Sequence, residues 1–233
     1  MRNDLTIYDT HADAWWTGNH RWLRTLNNMV PGRLRHFDRV VPDWEGRDVL
    51  DLGCGGGFMA EALASRGARV TGVDPAAQAV AAAQAHAAEV GLDIRYQTGM
   101  GEALPLSDQS MDAVVCVDVL EHVADLSKVL AEVHRVLRPG GLFLYDTINR
   151  NWLSRFVVIT MAEDVMRVLP RGTHDPAMFI RPAELDAALH AAGLTPGPIT
   201  GLGPWGVDRR LDPVFGPLPL TAVIYMGHAT REA

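Results

Sequence analysis

The chain has 233 residues, of which 48% are hydrophobic and 21% are charged, and its formal net charge is −7. This composition is typical of an ordinary globular domain, and the acidic balance argues against a protein that binds nucleic acid by neutralising phosphates. The two cysteines cannot build a disulfide framework, and no apolar run approaches the roughly 20 residues of a membrane span, so we expect a cytoplasmic protein whose partners are small molecules.

From residue 48 onward, short apolar runs alternate with helical patterns. The predicted strands cover residues 48–52, 69–73, 94–97, 111–117 and 142–147, and the predicted helices cover 58–65, 75–90, 126–137 and 182–192. The stretch 199–227 has apolar runs separated by Gly-Pro turns and is expected to supply two closing strands. The alternation predicts an α/β, doubly wound and mostly parallel sheet of seven strands with helices on both faces.

Two segments do not follow this alternation. Residues 1–47 are rich in Trp, His and Arg, and residues 149–180 contain an amphipathic helical pattern over 152–169. The ligands of doubly wound sheets bind at the carboxyl ends of the strands. We therefore expect both segments to cap that edge of the sheet.

A glycine-rich turn follows the first predicted strand, in the run Val-Leu-Asp-Leu-Gly-Cys-Gly-Gly-Gly over 49–57. Glycines at this point let the backbone pass close to a ligand where a Cβ would collide. Asp51 adds a carboxylate suited to a cation, and Asp74 ends the second strand, where it can accept both hydroxyl hydrogens of a ribose. These features together predict a nucleoside ligand, the alternative being a tight turn beside an unrelated acid.

Further motifs carry a resemblance to a known family. The fourth strand ends in Cys-Val-Asp-Val-Leu-Glu-His-Val over 116–123, and Leu-Arg-Pro-Gly-Gly follows over 137–141, as in class I methyltransferases that use S-adenosylmethionine. Within that class the chain most resembles the ubiquinone-biosynthesis O-methyltransferases, through Trp15-Trp16, Asn149-Arg150-Asn151, Gly-Thr-His-Asp over 172–175 and Phe-Ile-Arg-Pro-Ala-Glu-Leu over 179–185. The resemblance implies a Rossmann-like fold in one domain, with an N-terminal cap (1–47), a cofactor-binding core (48–148), an inserted lid (149–180) and a C-terminal part of the sheet (181–233).

The resemblance also implies which residues contact the cofactor. Arg33 would pair with the methionyl carboxylate, Asp51 would orient the ammonium, and Val117 would pack beside the adenine. A departure lies at Met100, because related methyltransferases often carry an acid there, so backbone and packing would hold the adenine. The predicted cofactor-binding residues are Arg33, Asp51, Gly53, Gly55, Gly57, Asp74, Gly101, Glu102 and Val117.

A divalent-cation site is predicted at Asp118, Glu121 and His122. Their i, i+3, i+4 spacing puts the side chains on one face if the segment turns helically, and the resembling family binds a cation at an acid, acid, histidine set in this position. Two carboxylates would suit Mg²⁺ or another divalent ion. The alternative is that Glu121 and His122 only hydrogen-bond to nearby loops.

The reaction expected from the resemblance is methyl transfer to a phenolic or catechol hydroxyl of an aromatic or quinol-type small molecule. Lys128 is the only lysine, so the predicted catalytic residues are Glu121, His122 and His174, acting as cation ligands or as bases. His174 could equally hold its loop. The alternatives are C- or N-methylation of another small molecule, and a protein that binds S-adenosylmethionine without turnover.

The inserted segment carries a further expectation. Apolar residues Val158, Met161, Val165 and Leu169 fall at helical spacing with arginines nearby. In the resembling family this insertion touches membranes, so residues 152–171 are a candidate for peripheral contact with the inner face of the membrane. A lid packed on the sheet is the alternative. The assembly is expected to be a monomer or a homodimer.

Overall fold

The computed structural model describes residues 3–166 and 168–232. Its helices are α1 (Thr6–Thr10), α2 (Arg21–Val40), α3 (Phe58–Ala64), α4 (Ala77–Glu89), α5 (Leu126–Val136), α6 (Trp152–Ser154) and α7 (Pro182–Ala191), with a 3₁₀ turn over Ala12–Ala14 and a π-helix over Arg155–Val165. Its strands are β1 (Asp48–Leu52), β2 (Arg69–Asp74), β3 (Ile94–Thr98), β4 (Met111–Cys116), β5 (Leu137–Ile148), β6 (Leu194–Pro196), β7 (Thr200–Val207), β8 (Pro213–Leu218) and β9 (Ile224–Arg231).

All of these strands form one mixed sheet in the order β3-β2-β1-β4-β5-β9-β7-β8, and β6 pairs with β9. Strands β1 to β5 are parallel, whereas β9 runs antiparallel to β5. The direction of winding reverses between β1 and β4. In a doubly wound sheet this reversal opens a crevice at the carboxyl ends of the strands.

The described chain has nine strands, whereas the sequence predicts seven. The difference lies after α7, where four strands replace the two expected ones. Prolines in this region weaken the strand signal in the sequence, because a proline cannot donate to a β-ladder and usually argues against a strand. Pro213 and Pro217 both lie in β8, which is the last strand of the sheet order, and an edge strand tolerates proline.

The central strands are buried on both faces, and neighbouring residues of a strand face opposite sides. Leu50 packs with α5 and α7 on one side of the sheet, whereas Val49 packs with α2 and α3 on the other. Val114 and Val115 in β4 divide in the same way. Because both faces of these strands are buried against apolar side chains, residues of either orientation are apolar, and the strands appear in the sequence as continuous apolar runs.

The inserted segment is not the regular amphipathic α-helix that the sequence predicts. One α-turn leads into the π-helix, in which the amide of Met166 donates to the carbonyl of Met161 at 2.8 Å. This five-residue spacing changes which side chains share a face. Val158 is buried, whereas Val165 of the same predicted stripe is 62% exposed, so the predicted stripe is wrong.

Candidate active site

A cavity of about 390 Å³ opens where the winding of the sheet reverses. Gly53 after β1, Asp74 at the end of β2 and Val117 after β4 line it. Its volume lies within the roughly 300–1,000 Å³ usual for small-molecule sites. The sheet therefore brings together, from three separate strands, residues that the sequence predicts to bind one ligand.

The glycine turn forms one wall of this cavity. Gly53 has φ +76°, a conformation that favours glycine, and an added Cβ would lie 2.1 Å from a methyl carbon of Val119. Farther along the turn, a Cβ on Gly56 would lie 2.1 Å from the ring of Trp15. The bare backbone thus accommodates the protein's own N-terminal segment as well as the cavity.

Two carboxylates stand at the ends of β1 and β2 on the cavity wall. Asp74 accepts hydrogen bonds from the amides of Gly55 at 2.9 Å and Ala76 at 2.8 Å, which orients its carboxylate. Asp51 is 1% exposed, and within residues 3–166 and 168–232 neither of its oxygens makes a hydrogen bond of normal geometry, although the amide of Ala60 lies close enough to lower the pKa of this acid in part. Burial, and next the charge of Asp74, raise the pKa of Asp51 to about 7. A buried acid whose oxygens lack such hydrogen bonds suits a cationic group of a ligand.

Arg33 is buried at the cavity wall between two carboxylates. Its Nε lies 2.6 Å from Asp146 and its Nη2 lies 2.5 Å from Asp118. Burial opposes the charged guanidinium, but these two acids outweigh it and raise the pKa of Arg33. Asp118 has φ +56°, and its amide donates to Asp146 at 2.7 Å, so the turn after β4 directs the Asp118 carboxylate to Arg33.

Glu121, His122 and His174 form a buried cluster, and His122 also lines the cavity. Each offers one ligand atom, and these atoms lie within 4.8 Å of one another. Thr147 donates to one oxygen of Glu121 at 2.8 Å, whereas Glu121 Oε1 and His122 Nε2 have no hydrogen-bond partner in the described part of the chain. Burial and nearby acids raise the pKa of Glu121 to about 8, and burial with His174 lowers the pKa of His122 to about 3.

Comparisons with known proteins identify the family. Residues 50–145 match a family model described as a methyltransferase domain. Over 200 residues the chain is 40% identical to the ubiquinone biosynthesis O-methyltransferase of Pseudomonas entomophila (strain L48), with 85% of each chain covered. The enzyme of the same name from Pseudomonas putida (strain W619) is 39% identical over 200 residues, again with 85% of each chain covered. The chain belongs to this O-methyltransferase family.

Solved structures agree with this identification at the level of the fold. A SAM-dependent methyltransferase from Thermotoga maritima superposes with a TM-score of 0.67 and 20% identity, covering 98% of this chain and 100% of that one. A SAM-dependent methyltransferase from Aquifex aeolicus superposes with a TM-score of 0.61 and 18% identity, covering 86% of this chain and 93% of that one. The predicted Rossmann-like methyltransferase class is confirmed, and the protein is an S-adenosylmethionine-dependent methyltransferase.

In this methyltransferase, six of the nine predicted cofactor-binding residues line the cavity and three do not. The cavity is lined by Arg33, Asp51, Gly53, Gly55, Asp74 and Val117. Gly101 and Glu102 do not line it, because Glu102 turns away to accept from the amide of Ala124 at 3.2 Å, and Met100 lines the wall instead. Gly57 lies outside the lining as well, with Tyr96 packed over its α-carbon.

The helical spacing used to predict a cation site at Asp118, Glu121 and His122 is not present in the structure. The segment after β4 forms turns rather than a helix, so the assumed i, i+3, i+4 face does not form. Asp118 pairs with Arg33, and His174 from the inserted segment takes its place beside Glu121 and His122. To bind the carboxylate of a methionyl group, Arg33 would have to share its guanidinium with Asp118 and Asp146 or release one of them.

Sequence reasoning missed several residues that organise the site. Glu163 in the π-helix is 1% exposed and accepts from the amides of Gly172 at 2.9 Å and His174 at 3.0 Å. It also lies 2.9 Å from Nδ1 of His174, so one acid shapes the Gly-Thr-His-Asp loop. The sequence signal for Glu163 was an acidic residue within a mostly apolar stretch, 156–166. Asp146, within a buried strand, gave a similar signal.

Proposed function

We propose that this methyltransferase transfers a methyl group to a phenolic or catechol hydroxyl of an aromatic or quinol-type small molecule. The names of the relatives support this substrate class. The single structural observation that carries it is the buried cluster of Glu121, His122 and His174, which borders the cofactor cavity through His122. A phenol must lose its proton during transfer, and this cluster supplies buried polar groups that reach the cavity wall through His122.

The cavity fits S-adenosylmethionine. The buried carboxylate of Asp51 suits the ammonium of the methionyl part, and the oriented carboxylate of Asp74 suits the ribose hydroxyls. When bound, the cofactor supplies a methyl group on a positively charged sulfur, which a phenolic oxygen can attack in line. The protein's part is then to hold the acceptor in place and to help remove its proton.

The electrostatics of the cluster favour one way of removing that proton. Phenols have a pKa near 10, and His122 with a pKa of about 3 is too weak a base to take the proton by itself. A neutral imidazole is a good ligand for a cation. A cation bound there would lower the pKa of a nearby hydroxyl. This reasoning supports cation-assisted ionisation over general-base catalysis by His122.

The donor set suits a divalent cation, although a different one from the ion expected from two carboxylates. Among the residues that the structure describes, Glu121 Oε1 and His122 Nε2 are buried and have no hydrogen-bond partner, which leaves both atoms available as ligands. Glu163 on Nδ1 of His174 matches the carboxylate support that increases the basicity of metal-binding histidines. Two imidazoles and one carboxylate favour Mn²⁺, Fe²⁺, Co²⁺ or Zn²⁺ over Mg²⁺.

The test is a methyl-transfer assay with S-adenosylmethionine and a panel of catechols, single phenols, amines and carbon acceptors. We expect O-methylated catechol by mass spectrometry, loss of activity after chelation, and recovery with a transition-metal ion. Glu121→Gln should lower kcat about 100-fold or more while the affinity for S-adenosylhomocysteine stays within about twofold. The exposed Glu89→Gln on α4 is the matched control and should behave like the parent.

Other results would contradict the proposal. Methylation of amines or carbon acceptors only would show that the enzyme is an N- or C-methyltransferase of another small molecule. Cofactor binding without transfer to any acceptor would indicate a non-catalytic component. Full activity in Glu121→Gln would exclude the cluster from the reaction.

We also propose peripheral membrane contact through the inserted segment. Four apolar residues of this segment, named here the lid patch, are exposed: Trp152 (79%), Phe156 (48%), Val165 (62%) and Met166 (50%). In the described part of the chain, no helix is both long and apolar enough to cross a bilayer. Contact would therefore be made by these side chains lying in the interface.

A further inference from the structure

Asn3 makes two hydrogen bonds to a single residue, His122. The side-chain amide nitrogen donates to the His122 carbonyl at 3.3 Å, and Asn3 Oδ1 lies 2.6 Å from ring Nδ1. A carbonyl oxygen has only lone pairs, so the NH₂ group of Asn3 must face it, and this turns the amide oxygen toward the ring. Because that oxygen can only accept, the proton of the neutral imidazole lies on Nδ1.

This proton placement determines what the other ring nitrogen can do. With Nδ1 protonated, Nε2 of His122 presents a lone pair. Nε2 is buried and has no hydrogen-bond partner among the described residues, and His122 belongs to the cluster with Glu121 and His174. The alternative tautomer would place the N–H on this buried nitrogen, which could then neither bind a cation nor accept a proton.

The backbone at Asn3 is suited to this contact. Asn3 has φ +61°, a left-handed conformation that asparagine adopts more readily than most residues. The next amide, of Asp4, donates to the carbonyl of Gly172 at 3.2 Å. The start of the chain therefore bridges the turn after β4 and the loop that carries His174.

We propose that Asn3 is a positioning residue that holds His122 as the Nδ1–H tautomer with Nε2 directed at the cluster. Its effect on catalysis rests on the proposed function, whereas the tautomer is a property of the folded chain. A segment far away in sequence thereby completes the ligand geometry of the residues after β4.

The test uses the full chain with ¹⁵N-labelled histidine. Two-bond ¹⁵N–¹H spectra distinguish the two tautomers, and the His122 signals are assigned as those that disappear in His122→Gln. Asn3→Gly removes both hydrogen bonds and keeps the left-handed backbone, whereas Asn3→Asp keeps an acceptor for Nδ1–H. Asn19→Gly, an exposed asparagine in the same N-terminal region, is the matched control.

We expect the Nδ1–H pattern in the parent, in Asn3→Asp and in Asn19→Gly, and a shift toward Nε2–H in Asn3→Gly. The proposal is overturned if the parent shows Nε2–H, or if Asn3→Gly keeps the Nδ1–H pattern unchanged. Loss of the pattern in Asn3→Asp would also contradict it, since the acceptor remains in place there.

A kinetic measurement separates positioning from folding. Asn3→Gly should lower kcat for a catechol about 10-fold with an unchanged affinity for S-adenosylhomocysteine, and Asn3→Asp should recover part of the loss. An unchanged kcat in Asn3→Gly would contradict the positioning role. If the parent methylates no phenol while the tautomers behave as expected, the proposed function fails and the tautomer assignment stands.

Discussion

At the scale of single residues, the site depends on buried groups whose hydrogen bonds the protein leaves incomplete. Asp51 is such a group, because it lies at the cavity wall and neither oxygen makes a hydrogen bond of normal geometry with the residues described. Leaving a buried polar group unpaired costs about 1–3 kcal/mol. A ligand that supplies the missing partner therefore recovers this free energy on binding.

Replacing Asp51 tests this interpretation. We expect Asp51→Asn to weaken S-adenosylhomocysteine binding about 10- to 100-fold, because a charge-assisted hydrogen bond of about 1.5–3 kcal/mol is lost. The ligand ammonium needs the ionised acid, whose pKa is raised to about 7, so parent affinity should rise from pH 6 to pH 8 and binding below pH 7 should release a proton. Calorimetry in buffers of different ionisation heat measures both effects.

The control for this experiment is Asp93→Asn, which changes an exposed acid after α4. Its affinity and pH dependence should equal those of the parent. A flat pH profile in the parent, or parental affinity in Asp51→Asn, would show that Asp51 does not meet the ammonium.

At the scale of elements, the N-terminal strap (residues 3–16) is joined to the glycine turn. The ring of Trp15 covers Gly56, and the indole N–H of Trp16 donates to the Gly56 carbonyl at 2.8 Å. Trp16 also stacks on His86 of α4, with 3.7 Å between ring centroids. The two tryptophans therefore anchor the strap, and Trp15 additionally lines the cavity.

A double-mutant cycle measures this anchoring. Gly56→Ala places a Cβ where the Trp15 ring lies, so it should lower the free energy of unfolding by about 1–3 kcal/mol. Trp15→Ala should lower the free energy of unfolding by about 3–5 kcal/mol. When Gly56→Ala is added to Trp15→Ala, its own effect should be much smaller, because the ring that the new Cβ would displace is gone. Urea denaturation gives the four values, and additive costs would mean that the two sites do not touch.

The lid patch gives a second prediction at this scale. Changing Trp152 and Phe156 together to serine should reduce binding to phosphatidylcholine–phosphatidylglycerol vesicles about 10-fold or more, because each exposed ring buries apolar area in the interface. Trp205→Ser with Val207→Ser is the matched control, since these residues are 54% and 61% exposed on β7. Equal losses in both variants, as judged by vesicle flotation, would argue against a specific lid contact.

At the scale of the whole molecule, the reversal of winding between β1 and β4 determines where the cavity forms. The antiparallel strands after β5 extend the sheet on the far side from β3 and leave this crevice intact. The N-terminal segment then forms part of the cavity wall through Leu5, Tyr8 and Trp15. Ligand binding should therefore stabilise the native state as a unit.

Thermal unfolding checks this coupling. At about 100 times its dissociation constant, S-adenosylhomocysteine should add about 2.7 kcal/mol of stability and raise Tm by roughly 5–10 °C. NAD at the same concentration should leave Tm unchanged. A comparable shift with NAD would indicate that the cavity does not discriminate between nucleoside cofactors.

Local sequence patterns determined the core of this protein. The first four parallel strands match their predicted bounds to within one residue, and the glycine turn and the acids at the ends of β1 and β2 lie where expected, because these features are set by short-range backbone physics. The fifth strand begins at Leu137, five residues before its predicted start. The π-helix and the proline-containing strands escaped prediction, since packing overrides local propensity there.

The membership of the buried cluster was decided only by the tertiary structure. Asp118 turns to Arg33, His174 joins Glu121 and His122, and Asn3 bonds to His122 from a distant part of the chain. No spacing rule links positions separated by 50 or more residues. Contacts of that kind exist only once the sheet has brought its strand ends together and the N-terminal and inserted segments have packed beside them.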